Sequence, residues 1–334
     1  MSVTVFGEHA DKTVHRVALC SSAGLEATVI GYGASLQDLK VPMAQSLRRV
    51  TLGFDHLDTY TAHAGYFGAV VGRFGNRIAD GRVIIDGKAH QLDLNILGRH
   101  HLHGGAQGFG KKVWTLVDHS DTHCTFELIS PDGEMGYPGR LAARVTYSVT
   151  GLSLIIRMQA QSDVSSIINL VAHPYFNLAG NGDIGRHRLQ INATRALLVD
   201  ADLIPTGAFF EVAGTAQDFR VAREIDAVPS WHDHCYVVDS AQTSAPAAQL
   251  RSPSGDMMMS IIGTRPGLQF YDGAHIAVSS LGHDGQAYRA RSGLCLESQF
   301  FPDAPNHPAF DQAFYGAGEA FDETVEHHFT VNER

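Results

Sequence analysis

Five short segments carry residue types suited to acid–base, hydroxyl-binding or metal chemistry. The first is His101-Leu102-His103-Gly104-Gly105. If it is a strand, its two imidazoles share a face. They then read either as half of a cupin-like metal site or as a loop-proximal pair. The next glutamate downstream is Glu127, too distant for the usual carboxylate partner of such a site. The second is Asn76-Arg77, beside Gly75. Its guanidinium offers a planar fork of donors to the oxygens of one ligand. The third is His173-Pro174-Tyr175-Phe176-Asn177. The proline biases His173 towards extended backbone. The imidazole reads either as a satisfied core residue or as a general acid. The fourth is Trp231-His232-Asp233-His234, in which Asp233 can accept hydroxyl hydrogen bonds. His232 and His234 form a second candidate metal pair. The fifth is Cys295-Leu296-Glu297-Ser298-Gln299. Alternation sets Cys295, Glu297 and Gln299 on one face, with Leu294, Leu296 and Phe300 on the other. Glu297 reads either as a candidate catalytic carboxylate or as a solvated acid on an exposed strand.

The elements that must hold these residues are strands. Val145–Val149 and Leu152–Gln159 alternate in character and flank Thr150-Gly151. Arg82–Ile85 and Lys88–Leu92 flank Asp86-Gly87. Both read as hairpins, because glycine accepts positive φ at the turn. Cys124–Ile129 reads as a strand before the turn Pro131-Asp132-Gly133. Sustained helical periodicity is scarce, and no βαβ spacing or G-x-G-x-x-G appears, which removes a dinucleotide-binding reading. The expected class is all-β, mainly antiparallel. No repeat of twenty to fifty residues points to a solenoid or propeller. No linker-like stretch divides the 334 residues, so a single domain over 1–334 is expected. The segment Ala241–Ala248 reads as a loop or strand connection.

Composition narrows the partners. Lys+Arg 25 against Asp+Glu 35 leaves a formal charge of −10, which disfavours a nucleic-acid binder. A neutral small molecule suits this balance. The four cysteines, Cys20, Cys124, Cys235 and Cys295, make no C-x-x-C pair. Charged residues punctuate the first twenty positions, so no signal peptide is expected. No apolar run is long enough for a membrane helix. A reduced cytoplasmic setting is the expectation. Oligomeric state has no signature here.

Taken in order, several motifs resemble the aldose 1-epimerase family. They are Gly72-Arg73-Phe74-Gly75-Asn76-Arg77-Ile78-Ala79, Leu102-His103-Gly104-Gly105, Ser130-Pro131-Asp132-Gly133-Glu134 with Gly136-Tyr137-Pro138-Gly139, and His173-Pro174-Tyr175-Phe176-Asn177-Leu178. Further along stand Leu203-Ile204-Pro205-Thr206-Gly207, Asp233-His234, Pro266-Gly267-Leu268-Gln269-Phe270-Tyr271, and Leu296-Glu297-Ser298-Gln299 with Phe301-Pro302-Asp303-Ala304-Pro305-Asn306. The resemblance implies a large antiparallel β-sandwich of the galactose-mutarotase-like type with an open sugar cleft. It implies mutarotation of a free aldose such as galactose or glucose, without metal or organic cofactor. It implies Glu297 as general base and His173 as general acid. Asn76, Arg77, His103, Asp233 and Gln269 are then sugar-binding residues. A non-catalytic sugar-binding protein on the same fold is the alternative, and it would not need both Glu297 and His173. Near neutral pH the chemistry asks for a raised Glu297 pKa and a protonated His173. Four positions depart from the family pattern: Gly110 in place of an acid, Ala172 before His173, Asp272 after the Gln-Phe-Tyr segment, and Phe300 in place of a polar residue. They bear on which sugar is preferred.

Overall fold

The computed structural model describes residues 3–63, 65–227, 231–238 and 245–332. Among them the only α-helix is the six-residue Leu57–Ala62. The rest is strand, turn and short 3-10 helix, as the alternation predicts.

Both expected hairpins form. Leu141–Thr150 pairs with Ser153–Ser162 in an unbroken antiparallel register that closes at Thr150 and Ser153. Gly151 takes φ +54° at the turn. Arg82–Ile85 pairs with Lys88–Gln91, with Asp86 and Gly87 both at positive φ. That is the signature of a type I′ turn. The third expected strand runs His123–Ser130. Part of the expected connection at Ala241–Ala248, residues 241–244, lies outside the described residues.

Three antiparallel sheets carry the molecule. The first takes Val3–His9, Lys12–Cys20, Glu26–Ile30, Ser35–Pro42 and Leu47–Arg49 in simple succession. The second has nine strands, with Ser153–Ser162 and the C-terminal Ala320–Val331 side by side near its centre. The third orders Pro205–Glu211, Arg195–Val199, Asp233–Val237, Gly267–Tyr271 and Cys295–Gln299. Period-two burial explains how they pack. In Leu141–Thr150, residues Leu141, Ala143, Val145, Tyr147 and Val149 face inward, and Arg144 points out. One apolar cluster joins Val17 and Val41 of the first sheet, Val145, Ile156 and Phe329 of the second, and Tyr236, Leu268, Phe270 and Leu296 of the third. Each such side chain contributes about 1.5–3 kcal/mol when fully buried.

The third sheet ends on Cys295–Gln299. Beyond that edge, the chain around Phe176 forms an isolated bridge to Leu294. Phe176 N–H donates to Leu294 O at 2.7 Å, and Leu294 N–H returns to Phe176 O at 2.9 Å. This tie brings the His173 segment against the start of the Glu297 strand.

Candidate active site

Three adjacent strands carry the acidic and amide side of the site. Cys235 pairs with Gln269, and Gln269 pairs with Glu297. Asp233 sits two residues before Cys235 on the same strand face. Gln269 Nε2 donates to Asp233 Oδ1 at 2.6 Å, and Arg77 Nη2 lies 3.4 Å from Asp233 Oδ2. Gln299, two residues after Glu297, links Gln269 to Asn76: its Nε2 donates to Gln269 Oε1 at 3.4 Å, and its Oε1 accepts from Asn76 Nδ2 at 3.5 Å.

Asn76 and His103 face each other across two left-handed residues, at φ +69° and +51°. Asn76 N–H donates to His103 Nδ1 at 3.1 Å, and His103 N–H donates to Asn76 O at 3.1 Å. The first bond leaves His103 Nε2 to carry the ring proton and offer it to a ligand. Burial, then the neighbouring His173 and Arg77, push the His103 pKa well below its ordinary value. It is therefore a neutral donor near pH 7.

His173 closes the site. It follows the short strand Val171–Ala172, paired with Val70–Val71, and its N–H donates to Ala69 O. Its Nε2 lies 3.8 Å from Glu297 Oε1, and its Nδ1 lies 3.4 Å from Cys295 Sγ. A thiol both donates and accepts weakly, so Nδ1 is accommodated with or without a proton. All of Asn76, Arg77, His103, His173, Asp233, Gln269 and Glu297 line one cavity of about 340 Å³. That volume falls in the range of small-ligand sites. The same cavity is also lined by aromatic and aliphatic side chains: Tyr66, Phe67, Tyr175, Tyr271, Ile276 and Val278. A lining that mixes polar donors and acceptors with apolar rings suits a sugar, which carries both hydroxyls and C–H faces.

The electrostatics agree with one sequence expectation and correct another. Burial, reinforced by the charge on Asp233 and opposed by Arg77, raises the Glu297 pKa well above the ordinary carboxylate value. That is the expected direction. His173, however, is pushed down to about 4 by burial, against the weaker upward pull of Asp233. The expected protonated His173 is thus not the resting form of the empty site. Because both side chains are buried, carboxyl and imidazole both favour their neutral states.

The candidate metal pairs do not assemble. The strand ends at Leu102, and the left-handed turn at His103 sends the second imidazole elsewhere. His101 is a packed core residue, held between Asp93 O at 2.7 Å and Tyr137 Oη at 2.6 Å. His232 is fully buried and stacked on Phe270, with its ring centroid 6.4 Å from that of His234. Neither pair gathers a third ligand among the described residues.

Tyr66 is a site residue that motif reasoning missed. Its ring centroid lies 4.8 Å from that of His103 and 6.1 Å from that of His173, tilted against both. The one local signal is an aromatic pair, Tyr66-Phe67, between Gly65 and Gly68. The departure at Gly110 bears on it, because a Cβ there would lie 3.2 Å from the Tyr66 ring. Phe300 and Asp272 are buried away from the cavity lining, and Ala172 is buried behind His173.

The sequence model of the aldose 1-epimerase family matches residues 15–328. The chain is 38% identical to galactose mutarotase of Rattus norvegicus over 338 aligned positions, covering 98% of each chain. It is also 38% identical to galactose mutarotase of Homo sapiens, again over 98% of each. Aldose 1-epimerase of Escherichia coli K12 shares 34% identity over 94% of each. Among solved structures, the aldose epimerase homologue from C. elegans superposes with a TM-score of 0.90 at 28% identity, covering 95% of this chain and 99% of that one. Galactose 1-epimerase from Lactobacillus acidophilus superposes at 0.86, with 27% identity and 99% coverage of both. With matching motifs, fold and full-length similarity together, the chain belongs to the aldose 1-epimerase family.

Proposed function

We propose that this protein is a mutarotase that interconverts the α and β anomers of a free aldose, with Glu297 and His173 as the acid–base pair. The observation that carries the reading is the placement of these two buried groups 3.8 Å apart on one cavity with Asn76, Arg77, His103, Asp233 and Gln269. Galactose and glucose are the substrates to try first, because relatives are named galactose mutarotase.

Ring opening requires that O1 lose a proton and the ring oxygen O5 gain one. Glu297 as carboxylate takes the O1 proton, and His173 as imidazolium gives its proton to O5. The C1–O5 bond breaks and the aldehyde forms at C1. Rotation about C1–C2 presents the other carbonyl face. Closure then returns the O5 proton to His173 and the Glu297 proton to O1. The enzyme ends as it began.

The pKa directions give this cycle a physical rationale. Charged pair and neutral pair hold the same number of protons, so passage between them needs no exchange with solvent. Ring opening converts the charged pair into the neutral one. Burial disfavours both charges, so it favours the opening step. His103, through Nε2–H, and Arg77 are placed to support developing charge on a sugar oxygen. Asp233 and Gln269 are placed to orient hydroxyls.

The experiment is polarimetric relaxation of fresh α-D-galactose and α-D-glucose, with the wild type, Glu297→Gln and His173→Asn. The expected result is acceleration by the wild type and near-loss in both variants. Full activity in either variant would sink the assignment of that residue.

A further inference from the structure

We propose that the floor of this cavity is also a site for a thiophilic divalent cation of the zinc or cadmium class, and that occupancy shuts the enzyme down. The inhibitory consequence rests on the reading of Glu297 and His173 as the acid–base pair. The cation site itself does not.

The trio is His173, Cys295 and Glu297. Each offers a ligand atom within 4.8 Å of those of the other two, and all three side chains are buried. Sulfur, nitrogen and oxygen bind zinc at about 2.3, 2.0–2.1 and 2.0–2.2 Å, which sets tetrahedral neighbours roughly 3.3–3.7 Å apart. Cys295 Sγ and His173 Nδ1 stand 3.4 Å apart, already within that span. Glu297 Oε2 is buried and has no hydrogen-bond partner among the described residues, so a lone-pair donor is left over. Cys295 and Glu297 sit two apart on one strand, registered against Tyr271 and Gln269. The chain tie at Phe176 and Leu294 fixes the approach of His173. His173 and Glu297 line the cavity and Cys295 lies buried next to them, so a cation held by the three keeps its fourth position on the cavity side, for water or a sugar hydroxyl.

The donor set selects the metal class. One thiolate, one imidazole and one carboxylate suit zinc or cadmium, whereas magnesium and calcium favour all-oxygen cages. The proton balance is also defined. Binding the cation converts the Cys295 thiol to a thiolate and releases its proton, while Glu297 binds as carboxylate and His173 contributes a ring-nitrogen lone pair. With the cation bound, neither Glu297 nor His173 can shuttle protons to a sugar.

The test uses the full-length protein stripped with EDTA and moved to chelator-free buffer. Zinc is titrated into the galactose polarimetric assay, and cobalt is added to separate samples to read a thiolate-to-metal charge-transfer band. The variants are Cys295→Ser, which keeps a hydroxyl beside His173 but removes the soft ligand, and Asp118→Asn, which disables the exposed His123–Asp118 pair. Expected are EDTA-reversible inhibition that competes with sugar, a thiolate band in the wild type, and a shift of at least about tenfold in half-inhibitory zinc for Cys295→Ser relative to its own uninhibited rate. Asp118→Asn should behave like the wild type. The thiolate band, read in the wild type alone, decides the site even if Cys295→Ser fails to fold. Absence of that band in the wild type overturns the site. Unchanged zinc sensitivity in folded Cys295→Ser overturns it as well. A stripped wild type inactive on every aldose would instead count against the mutarotase reading, and the cobalt band would still decide the cation site.

Discussion

At the scale of single residues, the pair Glu297 and His173 sets the sharpest expectations. Positioned acid–base groups contribute about 10²–10⁴-fold each. Glu297→Gln and His173→Asn should lower kcat by amounts in that range while circular dichroism stays native. The pH dependence follows from the same pair. The working enzyme holds one transferable proton on it. Below about pH 4, His173 takes up a second and the pair has no base left. Above the raised Glu297 pKa, the pair has lost its only transferable proton. The acid limb of kcat/KM should therefore lie near pH 4. An acid limb at 6.5, the value of an ordinary histidine, would show that His173 is not the buried group described here. Much of this scale was legible from motifs, since Glu297, His173 and the five polar contacts all line the cavity. The charge state of His173 was not legible. It depends on burial by Tyr66, Tyr175 and Cys295, whose approach no local pattern announces.

At the scale of elements, the site is a problem of register. Both tight hairpins were legible because alternation and a glycine turn are local signals. The pairing of Asp233 with Tyr271, and of Gln269 with Glu297, joins segments dozens of residues apart and leaves no local trace. The reading of His101 and His103 as one strand face failed for a related reason. Period two holds only while the strand lasts, and this one stops at Leu102. A buried residue outside the cavity, Asn169, shows what holds the elements together. Its Oδ1 accepts from Phe300 N–H at 3.1 Å, just past the Glu297 strand. Its Nδ2 donates to Gly75 O at 3.2 Å, just before Asn76 and Arg77. One amide thus clamps the strand of the proposed base to the loop of the proposed sugar contacts Asn76 and Arg77. Asn169→Ala would leave a buried donor and a buried acceptor unpaired, at about 1–3 kcal/mol each. The expected outcome is a urea midpoint shifted by that total and a raised KM for sugar, although Asn169 does not line the cavity. Unchanged KM and stability together would show that the clamp is redundant.

At the scale of the whole molecule, the chain buries ionisable groups that pull stability in opposite directions with pH. His327 is the clearest. It sits in the central strand Ala320–Val331, opposite Leu154 and Ile261, with its ring 5.0 Å from that of Phe176. Neither ring nitrogen has a hydrogen-bond partner among the described residues, and burial pushes its pKa down to about 4. The unfolded chain, with a histidine near 6.5, binds that proton more readily. Stability from this position is therefore full above about pH 6.5 and is lost as pH falls towards 4. Between pH 7 and 5 the loss is about 2 kcal/mol. Glu323 runs the other way. Burial raises its pKa to about 7 despite Arg265, so the folded state holds a proton that the unfolded chain releases above 4.5. Its contribution is full below that and fades as pH rises to 7. The two kinds of group partly cancel in the wild type, and the cancellation is what a substitution at His327 should expose. His327→Leu keeps an apolar side chain of similar size and removes the lone titration. Urea unfolding at pH 7 and pH 5 should show the variant gaining about 2 kcal/mol on the wild type at the lower pH. The polarimetric rate should be retained, since the position is remote from the cavity lining. Equal pH dependence in the two proteins would mean that His327 finds a proton-stabilising partner, and that the acid sensitivity of the fold lies with His101, His187 and His232 instead.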